Sequence, residues 1–521
     1  MRCYEGNILT VNKNDDVYRY LVEDQGKILY VGDQLPDQYK GIKKIHLGKR
    51  ALVPTFVDTH QHFASYATFH AGLNVMEARS NREIAEMIRN FASNSSKKTL
   101  IAFGASPYSV VEKCLISREE LDQVCPDKEV FVVKYDGHAC VVNTKLLKKM
   151  EKKVSALRGY HPDTGEMNQE AFFEVSNYIT NSISIPELIK NMQNAVDDMA
   201  KKGIGSIHTV SGVGFVANLD ITMEQFFAQG LKNGFKINVF PQSLNIKTAT
   251  RRKIPRIGGC FECALDGCFG SHDAALNQPY TDDDADSGVL YYDDKKVEDF
   301  CKKANRAGLQ IELHAIGDRA FDQACKCIKA ALDDYPREDH RHGVIHDCLP
   351  TDSSMEICKQ YNIQMPVQSA FIDWRQEPDG YLEEILGNER ASKLNPIRTF
   401  LDQGILVSFG SDAPCTEPDP ILWMDKAVNN PNKKEAISIQ EALRCCTING
   451  YEACFDEKER GSLEVGKIAD MVVLSENPYE VEKERIHELK VERTILMGKQ
   501  YQSCKENILK QMVRGLFSRR S

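Results

Sequence analysis

The sequence lacks the features that would take it to a membrane or to nucleic acid. None of its apolar runs approaches the ~18–20 residues of a membrane-spanning helix. Positive charge is not in excess, because 66 Lys and Arg face 75 Asp and Glu, which leaves a formal net charge of −9. Tryptophan is scarce, with 2 residues in 521. We therefore expect no nucleic-acid partner and no membrane partner.

The sequence also lacks the pattern of a secreted, disulfide-bonded protein. The residues that follow Met1 include Arg2 and Glu5 and form no apolar signal core. The 17 cysteines are odd in number and scattered, whereas a disulfide framework is typical of short secreted chains. We expect free thiols and a cytoplasmic location. Cys260 and Cys263 have CxxC spacing without a second pair, so we interpret them as small buried hydrophobic residues.

Short β-strands are predicted at both ends of the chain, in residues 1–52 and 460–502. Each fragment is too thin to bury its apolar face alone, so we expect the two to meet. The middle of the chain would then be a separate unit between them. A basic, amphipathic tail follows at 503–521 and is predicted to be a solvated or frayed terminal helix.

The middle of the chain, residues 53–459, alternates short apolar runs with amphipathic helical patterns. Such repeated βα units predict an α/β fold with a parallel sheet, and a (β/α)8 TIM barrel fits the length. Residues 63–159 or so interrupt the pattern and are predicted to form an inserted subdomain. The apolar runs are 51–57, 203–209, 257–265, 309–314, 342–346 and 405–408, and the helical patterns are 185–202, 296–307, 320–333 and 439–455.

Polar residues cluster where the apolar runs end, which is where a TIM barrel builds its active site. The first run is followed by Asp58, His60 and His62, which alternation places on one face of a strand. Two imidazoles on one face can chelate a metal ion. Later runs end at His314, His346 and Asp412. Imidazole and carboxylate ligands suit Zn²⁺, and also Fe, Mn or Co.

These residues resemble the metal-site pattern of the amidohydrolase superfamily. The finer resemblance is to amidohydrolase family 3, the YtcJ-like branch that includes N-substituted formamide deformylases, and it covers about residues 6–501. It implies a metal-bearing TIM barrel, a composite β-sandwich built from both ends of the chain, and a lid-like insertion after the first barrel strand. The blocks that carry it are YDGHACVVN at 135–143, LDGCFGS at 265–271, AAL at 274–276, PY at 279–280, HAIGDRA at 314–320, GSDAP at 410–414 and GKIAD at 466–470.

The resemblance also implies roles for the clustered residues. His60 and His62 would hold one metal ion, with Asp412 at its water molecule. His314 and His346 would hold a second ion, or the same one if the site is mononuclear. A metal-activated hydroxide would attack the carbon of an amide or cyclic amide in a small molecule, and Asp412 would pass the water's proton to the leaving nitrogen.

The sequence departs from the family at two carboxylates. The family usually has a lysine four residues before the Asp-Gly block at 266–267, often carboxylated so that it bridges two metals. This chain has Glu262 there, which we predict to bridge or ligate without modification. Glu312 lies on the same face as His314 by alternation and one layer deeper, where it needs a partner.

Four further residues are candidates for binding the substrate, and the reaction itself has alternatives. The first alternative is deamination or ring opening of a heterocycle at the same site. The second is a non-catalytic relative that keeps the fold as an interaction scaffold. A homodimer is expected on general grounds only. The substrate-binding candidates are His138, His208, Asp266 and Arg319.

Overall fold

The computed structural model describes residues 1–212, 218–373 and 377–518 of this mixed α/β protein. The last residues of the predicted tail, 519–521, lie outside the described residues. Segments 213–217 and 374–376 of the predicted barrel region lie outside them as well. No helix within the described ranges has both the length and the apolar character that crossing a bilayer requires. All 17 cysteines are free thiols.

Both ends of the chain contribute strands to one seven-stranded sheet, in the order β21-β20-β19-β4-β1-β2-β3. The ends meet where β19 pairs antiparallel with β4, with Val472 opposite Val53. Leu21, Leu52 and Met471 pack together on one face and give the sheet its core. The strands are β1 (Arg2–Leu9), β2 (Val17–Asp24), β3 (Lys27–Gly32), β4 (Lys44–Pro54), β19 (Met471–Leu474), β20 (Val491–Leu496) and β21 (Lys499–Gln500).

A second sheet, six-stranded in the order β10-β11-β9-β8-β7-β6, lies in the segment that follows the first strand of the parallel set. Strand β11 and the helix after it continue this unit to Ser182, beyond the predicted end near 159. The elements are α1 (Phe63–His70), β6 (Leu73–Asn74), α2 (Asn81–Asn94), β7 (Thr99–Ala105), α3 (Arg118–Val124), β8 (Glu129–Lys134), β9 (Ala139–Val142), α4 (Thr144–Val154), β10 (Tyr160–His161), β11 (Glu166–Asn168) and α5 (Gln169–Ser182).

Eight further strands of the described residues form three sheets in which every pair is parallel, of order β13-β12-β5, β14-β15-β16 and β17-β18. Contacts join β13 to β14, β16 to β17 and β18 to β5, so the three sheets follow one another in chain order. Strands β5, β12 and β15 are buried along their whole length, as parallel strands covered on both faces are. The set is β5 (Phe56–Gln61), β12 (Ile204–Ser211), β13 (Lys236–Pro241), β14 (Arg256–Ala264), β15 (Gln310–Ala315), β16 (Gly343–His346), β17 (Met365–Val367) and β18 (Val407–Phe409).

Amphipathic helices alternate with these strands and bury their apolar faces in the same core. Several of them begin with a capping side chain, such as Asp293, whose carboxylate accepts from the Lys296 N–H. They are α6 (Ile185–Lys201), α7 (Leu219–Gly230), α8 (Lys247–Thr250), α9 (Asp294–Arg306), α10 (Asp318–Asp334), α11 (Asp352–Tyr361), α12 (Tyr381–Ala391), α13 (Ile397–Asp402), α14 (Pro420–Val428), α15 (Ile439–Cys446) and α16 (Ile448–Ala453). The predicted helices at 185–202, 296–307 and 320–333 are confirmed, and the fourth divides at Thr447.

The tail forms a helix that packs along one face and leaves Leu509, Leu516 and Phe517 exposed. Helix α17 (Ile508–Phe517) lies against α7, and Gln511 is buried in the contact, where it accepts a hydrogen bond from the Gln193 side chain at 2.8 Å. Gly515 permits the close approach, because a Cβ there would lie 2.1 Å from the Phe226 carbonyl oxygen. The sequence pattern indicated the helix, but not the surface that it covers.

A buried carboxyl group joins three elements near the end of β12. Glu224 of α7 accepts the N–H of Ala64 at 3.1 Å, close to the start of α1, and also a hydrogen bond from Ser211. Burial raises the pKa of Glu224 to about 8, so this group is protonated in the folded protein at neutral pH.

We therefore expect the stability of the protein to fall as pH rises between about 5 and 7.5, since the unfolded chain releases the Glu224 proton over this range and the folded chain retains it. The slope from one such group is about 1.4 kcal/mol per pH unit. Urea unfolding of wild type and Glu224→Gln across this range measures it, with exposed Glu383→Gln as the control. The Glu224 variant should lose this component of the slope and the control should keep it. Parallel profiles for all three proteins would contradict the assignment.

Candidate metal centre

The carboxyl end of β5 is tied to the turn that follows β18. The backbone N–H of Asp412 donates to the His60 carbonyl at 2.7 Å, and the His62 N–H donates to the Ala413 carbonyl at 2.9 Å. Gly410 is required for this approach, because a Cβ there would lie 2.6 Å from the His60 nitrogen. The tie places His60, His62 and Asp412 side by side, although they are about 350 residues apart in the chain.

Asp58 braces this junction. Its carboxylate accepts from the Ser411 N–H at 2.9 Å, the Ser411 hydroxyl at 2.6 Å and the Gln61 side-chain amide at 3.1 Å. Burial raises the pKa of Asp58 to about 7, and its hydrogen bonds oppose that shift. The predicted face of Asp58, His60 and His62 is therefore divided, since Asp58 faces Ser411 while the two histidines face Asp412.

The carboxylate of Asp412 lies between the two histidines of the first strand. Its Oδ1 is 3.2 Å from Nε2 of His60 and 3.2 Å from Nε2 of His62. His60 is fully buried, and within the described residues its Nδ1 has no hydrogen-bond partner. The imidazole nitrogens that face Asp412 are thus in position to act together on a shared group.

A thiol lies at the centre of the cluster. The Sγ of Cys260, in β14, is 3.4 Å from Nε2 of His60, 3.4 Å from Nδ1 of His314 and 3.6 Å from Nε2 of His346. Three trios have all their candidate ligand atoms within 4.8 Å of one another, namely His60–His62–Cys260, Cys260–His314–His346 and His60–His346–Asp412. Cys260 belongs to the first two, so it occupies the position of a shared ligand.

Neighbouring groups orient the imidazoles of the later strands. The Nδ1–H of His346 donates to Gln368 Oε1 at 2.7 Å, which leaves Nε2 facing the thiol. Nε2 of His314 lies 3.2 Å from the Gly267 carbonyl and 3.5 Å from Asp266 Oδ1, which leaves Nδ1 facing the thiol. Partners of this kind fix the tautomer of ligating histidines. Gln368 was not identified from the sequence, because an amide after a short strand has no distinguishing pattern.

The structure does not bring Glu262 to the cluster. Its side chain is exposed on the wall of the cavity above, and the thiol of Cys260 stands where the bridging group was predicted. Alternation would place positions 260 and 262 on one face, but Phe261 has φ +49° and the register of β14 shifts between Gly259 and Ala264. The prediction of Glu262 as a bridging ligand is therefore replaced by Cys260.

Backbone strain is concentrated at this site. His346 has φ +78°, Asp347 has φ +47° and Asp412 has φ +55°. All three lie in the left-handed region of backbone angles, which residues other than glycine rarely adopt. Such conformations cost free energy and persist where the surrounding structure holds them, commonly at functional sites. Their coincidence with the cluster is an independent sign that the cluster is functional.

Two of the candidate substrate-binding residues are engaged in structural contacts. Asp266 is buried and accepts three backbone N–H groups, from Ala275, Ile316 and Gly317, at 2.8–3.0 Å. Arg319 donates to two backbone carbonyls, 3.0 and 3.2 Å away, and is absent from the described residues that line the cavity. Asp266 holds the loop after β15 in place, and Arg319 ties the start of α10 to the loop that follows β14.

The other candidates divide between the cavity and the interior. His138 lines the cavity, and its backbone N–H donates to Asp136 at 3.1 Å. His208 is buried in β12 beneath the cluster, and neither ring nitrogen has a hydrogen-bond partner in the part of the chain that the structure describes. Glu312 likewise lacks one there. Burial raises its pKa to about 8, and the charge of Arg256 opposes this shift.

The donor set fits a divalent metal ion. Burial lowers the pKa of His60 and lowers that of His346 strongly, so both rings are neutral, the form in which imidazole binds metals. Burial raises the pKa of the Cys260 thiol well above its ordinary value, so a thiolate there requires a cation beside it. Two imidazoles with one thiolate are ligands typical of Zn²⁺.

The cluster lies at the base of a cavity of about 1810 Å³. The floor includes His62, Cys260 and Asp412, and much of the wall comes from α5 and the turn between β8 and β9. The segment inserted after β5 therefore covers the site, and a small molecule has room to reach the clustered ligands.

The chain matches the amidohydrolase family over residues 44–502. It is 24% identical to YtcJ of Bacillus subtilis (strain 168), named as an amidohydrolase, over 95% of this chain and 97% of that protein. It is 23% identical to N-substituted formamide deformylase of Arthrobacter pascens, over 94% of this chain and 96% of that protein. A solved metal-dependent hydrolase from Pyrococcus horikoshii OT3 superposes with a TM-score of 0.76 at 22% identity, over 93% of this chain and 99% of that one.

The protein belongs to the amidohydrolase family, and the resemblance found in the sequence is confirmed. It is accordingly a hydrolase, so the alternative of a non-catalytic scaffold is set aside. The structural likeness shows a shared fold. The bond that is cleaved and the substrate are subjects of the proposal below.

Cys260 as the shared ligand predicts a specific change in metal content. We expect Cys260→Ser to lose at least half of the metal bound by wild type, since a hydroxyl is a far weaker ligand than a thiolate. Glu262→Gln should keep the wild-type content, because Glu262 stands outside the cluster. Elemental analysis of the purified proteins measures the metal-to-protein ratio. Equal losses in both variants, or a loss in Glu262→Gln alone, would contradict the arrangement.

Proposed function

We propose that this protein is a metal-dependent amidohydrolase that hydrolyses a carbon–nitrogen bond, in an amide or cyclic amide, of a small molecule. The observation that carries the proposal is the convergence of His60, His62, Cys260, His314 and His346 with Asp412 at the base of a cavity. Family membership supports the hydrolase class, and the relative named as a formamide deformylase supports the type of bond.

The proposed architecture places this site at the mouth of a barrel. We propose that the parallel strands form a TIM barrel within residues 53–459 and that 1–52 and 460–502 form a composite β-sandwich domain. The contacts that link the three parallel sheets in chain order support the barrel, and the pairing of β19 with β4 supports the composite domain. All of the clustered side chains come from the carboxyl ends of the strands, where TIM-barrel enzymes place their chemistry.

In the proposed site, His60, His62, Cys260, His314 and His346 would hold one or two divalent metal ions, with the Cys260 thiol in contact with histidines of both pairs. Zn²⁺ suits this set best, and Fe, Mn or Co are the alternatives. A bound divalent ion would supply a water molecule of lowered pKa and polarise the carbonyl of the substrate. Asp266 and Gln368 keep the ligating nitrogens of His314 and His346 turned toward the cluster.

Asp412 is the proposed proton carrier. Its carboxylate is buried 3.2 Å from Nε2 of each of two imidazoles, and although burial raises its pKa, the neighbouring His60 and His62 hold that pKa well below the ordinary value. An amide nitrogen leaves only after protonation, so a group that takes a proton from water and returns it to nitrogen is required. Asp412 borders the cavity and is positioned for both transfers.

The experiment is a hydrolysis assay with metal-loaded wild type and Asp412→Asn on N-formyl amines, N-acetyl amines and cyclic amides. We expect wild type to release amine and the variant to lose kcat by about 100-fold or more, as for removal of a general acid–base group. Asp284→Asn, in an exposed loop, should retain full activity.

In the same assay, ammonia detection with aminated heterocycles as substrates distinguishes deamination from amide hydrolysis. Release of ammonia from these substrates, with no amine from the amides, would replace the proposal by deamination. Product mass distinguishes ring opening of a cyclic amide. A small-molecule substrate, a cytoplasmic location and a homodimer remain predictions.

A further inference from the structure

The backbone of β14 turns an aromatic ring into the cavity directly beside the metal cluster. Phe261 follows Cys260 and has φ +49°, so the strand does not continue its alternation there. The ring of Phe261 lies 5.3 Å from the ring of His62 at 77°, an edge-to-face contact. The positive φ of Phe261 thus has two effects. The thiol of Cys260 faces the imidazoles, and the ring of Phe261 faces the space above them.

A second ring reaches the same place from the inserted segment. Phe173 of α5 lies 6.2 Å from Phe261 at 78°. Its neighbour Phe172 also borders the cavity but is 6% exposed and packs in the core of that segment, whereas Phe173 is 40% exposed. Consecutive helix residues point in different directions, so α5 packs one phenylalanine mainly into its own core and leaves more of the other exposed to the cavity.

A third ring borders the cluster at another strand end. Phe371, which follows β17, stacks on the ring of His346 at 5.9 Å with 10° between the planes, and it also lines the cavity. Two histidines of the cluster therefore each carry a phenylalanine on the cavity side. The space above the ligands is bounded by apolar rings on more than one side.

The exposure of these rings points to a ligand. Phe261 is 38% exposed, yet both it and Phe173 lie inside a cavity and not on an outer surface. Apolar area left in water forgoes the ~25 cal/mol per Å² that burial would return. A planar apolar group placed against both rings would cover that area and make edge-to-face contacts of the kind the rings already make.

We propose that Phe261 and Phe173, together with Phe371, form an aromatic subsite that binds a planar apolar group attached within one or two bonds of the scissile carbon–nitrogen bond. The substrate class is then aryl- or arylalkyl-substituted amides and not small polar ones. This inference rests on the proposed function and specifies its substrate. Phe261 is the specificity-determining residue, because its ring contacts both the ring of His62 and the ring of Phe173.

The test uses three amides that share one scissile group and differ in a single substituent, which is benzyl, cyclohexylmethyl or methyl. Calorimetry measures their dissociation constants for the metal-loaded protein, and kinetics measures kcat and KM. We expect wild type to bind the benzyl amide roughly tenfold more tightly than the methyl amide, a discrimination usual for apolar pockets. Phe261→Leu and Phe173→Leu should each reduce the benzyl preference several-fold, whereas the control Asp284→Asn, in an exposed loop, should keep it.

The variant Phe261→Gly removes the ring and permits the same backbone conformation, so it tests the effect of the ring separately from the effect of the backbone. Glycine accepts φ +49° without strain, so this protein should keep its metal content and lose the benzyl preference. If Phe261→Gly keeps the preference, the ring is not the subsite and the inference is overturned. If the preference is lost only in those variants that also lose metal, residue 261 acts through the position of Cys260, which also overturns the inference.

Failure of the inference is distinguishable from failure of the proposed function. Wild type that hydrolyses the three amides with equal kcat/KM and binds them with equal affinity would refute the aromatic subsite and leave amide hydrolysis standing. Wild type that cleaves none of them but binds the benzyl amide preferentially, with the preference lost in Phe261→Leu, would refute the reaction and retain the subsite.

Discussion

The site depends on the junction between the first and the last parallel strand. Asp58 accepts hydrogen bonds from Ser411, and backbone bonds join His60 to Asp412 and His62 to Ala413. These contacts bring the two ends of a long segment together in a fully buried setting, where each unpaired polar group would be costly. Because the junction leaves little freedom in the backbone, the imidazoles and the carboxylate are held before any ligand arrives, which is the pre-organisation that a catalytic site needs.

Cys260 determines the character of the centre. A carboxylate at this position would be a hard donor, whereas a thiol among neutral imidazoles favours softer borderline metals. Its contacts to His60, His314 and His346 within 3.4–3.6 Å place it between the two halves of the ligand set. The thiol reaches that place because the backbone of β14 departs from regular strand geometry at Phe261. Local strain in one strand thus governs both the ligand and the ring that stands next to it.

Sequence patterns predict much of this arrangement. The predictions that are wrong fail for physical reasons that can be identified. The apolar runs that end at His314 and His346 correspond to β15 and β16, and the helical periodicity at 320–333 corresponds to α10. The run at 51–57 was interpreted as one strand but divides at Thr55, because its first part joins the terminal sheet and its second part the parallel set. Strand β17 is three residues long and leaves almost no periodic signal. Glu262 is predicted as the bridge because it stands where the family has its lysine, but the positive φ at Phe261 turns Cys260 toward the cluster instead, and nothing in the sequence indicates that conformation.

The ligands and the proposed substrate wall come from different parts of the chain. The histidines, Cys260 and Asp412 are on the ends of parallel strands that share one large core, whereas Phe173 is on a helix of the inserted segment, which has a core of its own. Contacts such as the Tyr135 hydroxyl donating to Glu377 at 3.2 Å hold the insertion against the loops that follow the strands. Changes on α5 can therefore alter the cavity wall without disturbing the metal ligands. In contrast, Phe261 belongs to both parts of the site, since its backbone places the thiol while its ring faces the cavity, so the proposed choice of substrate would be coupled to the proposed metal centre at that residue.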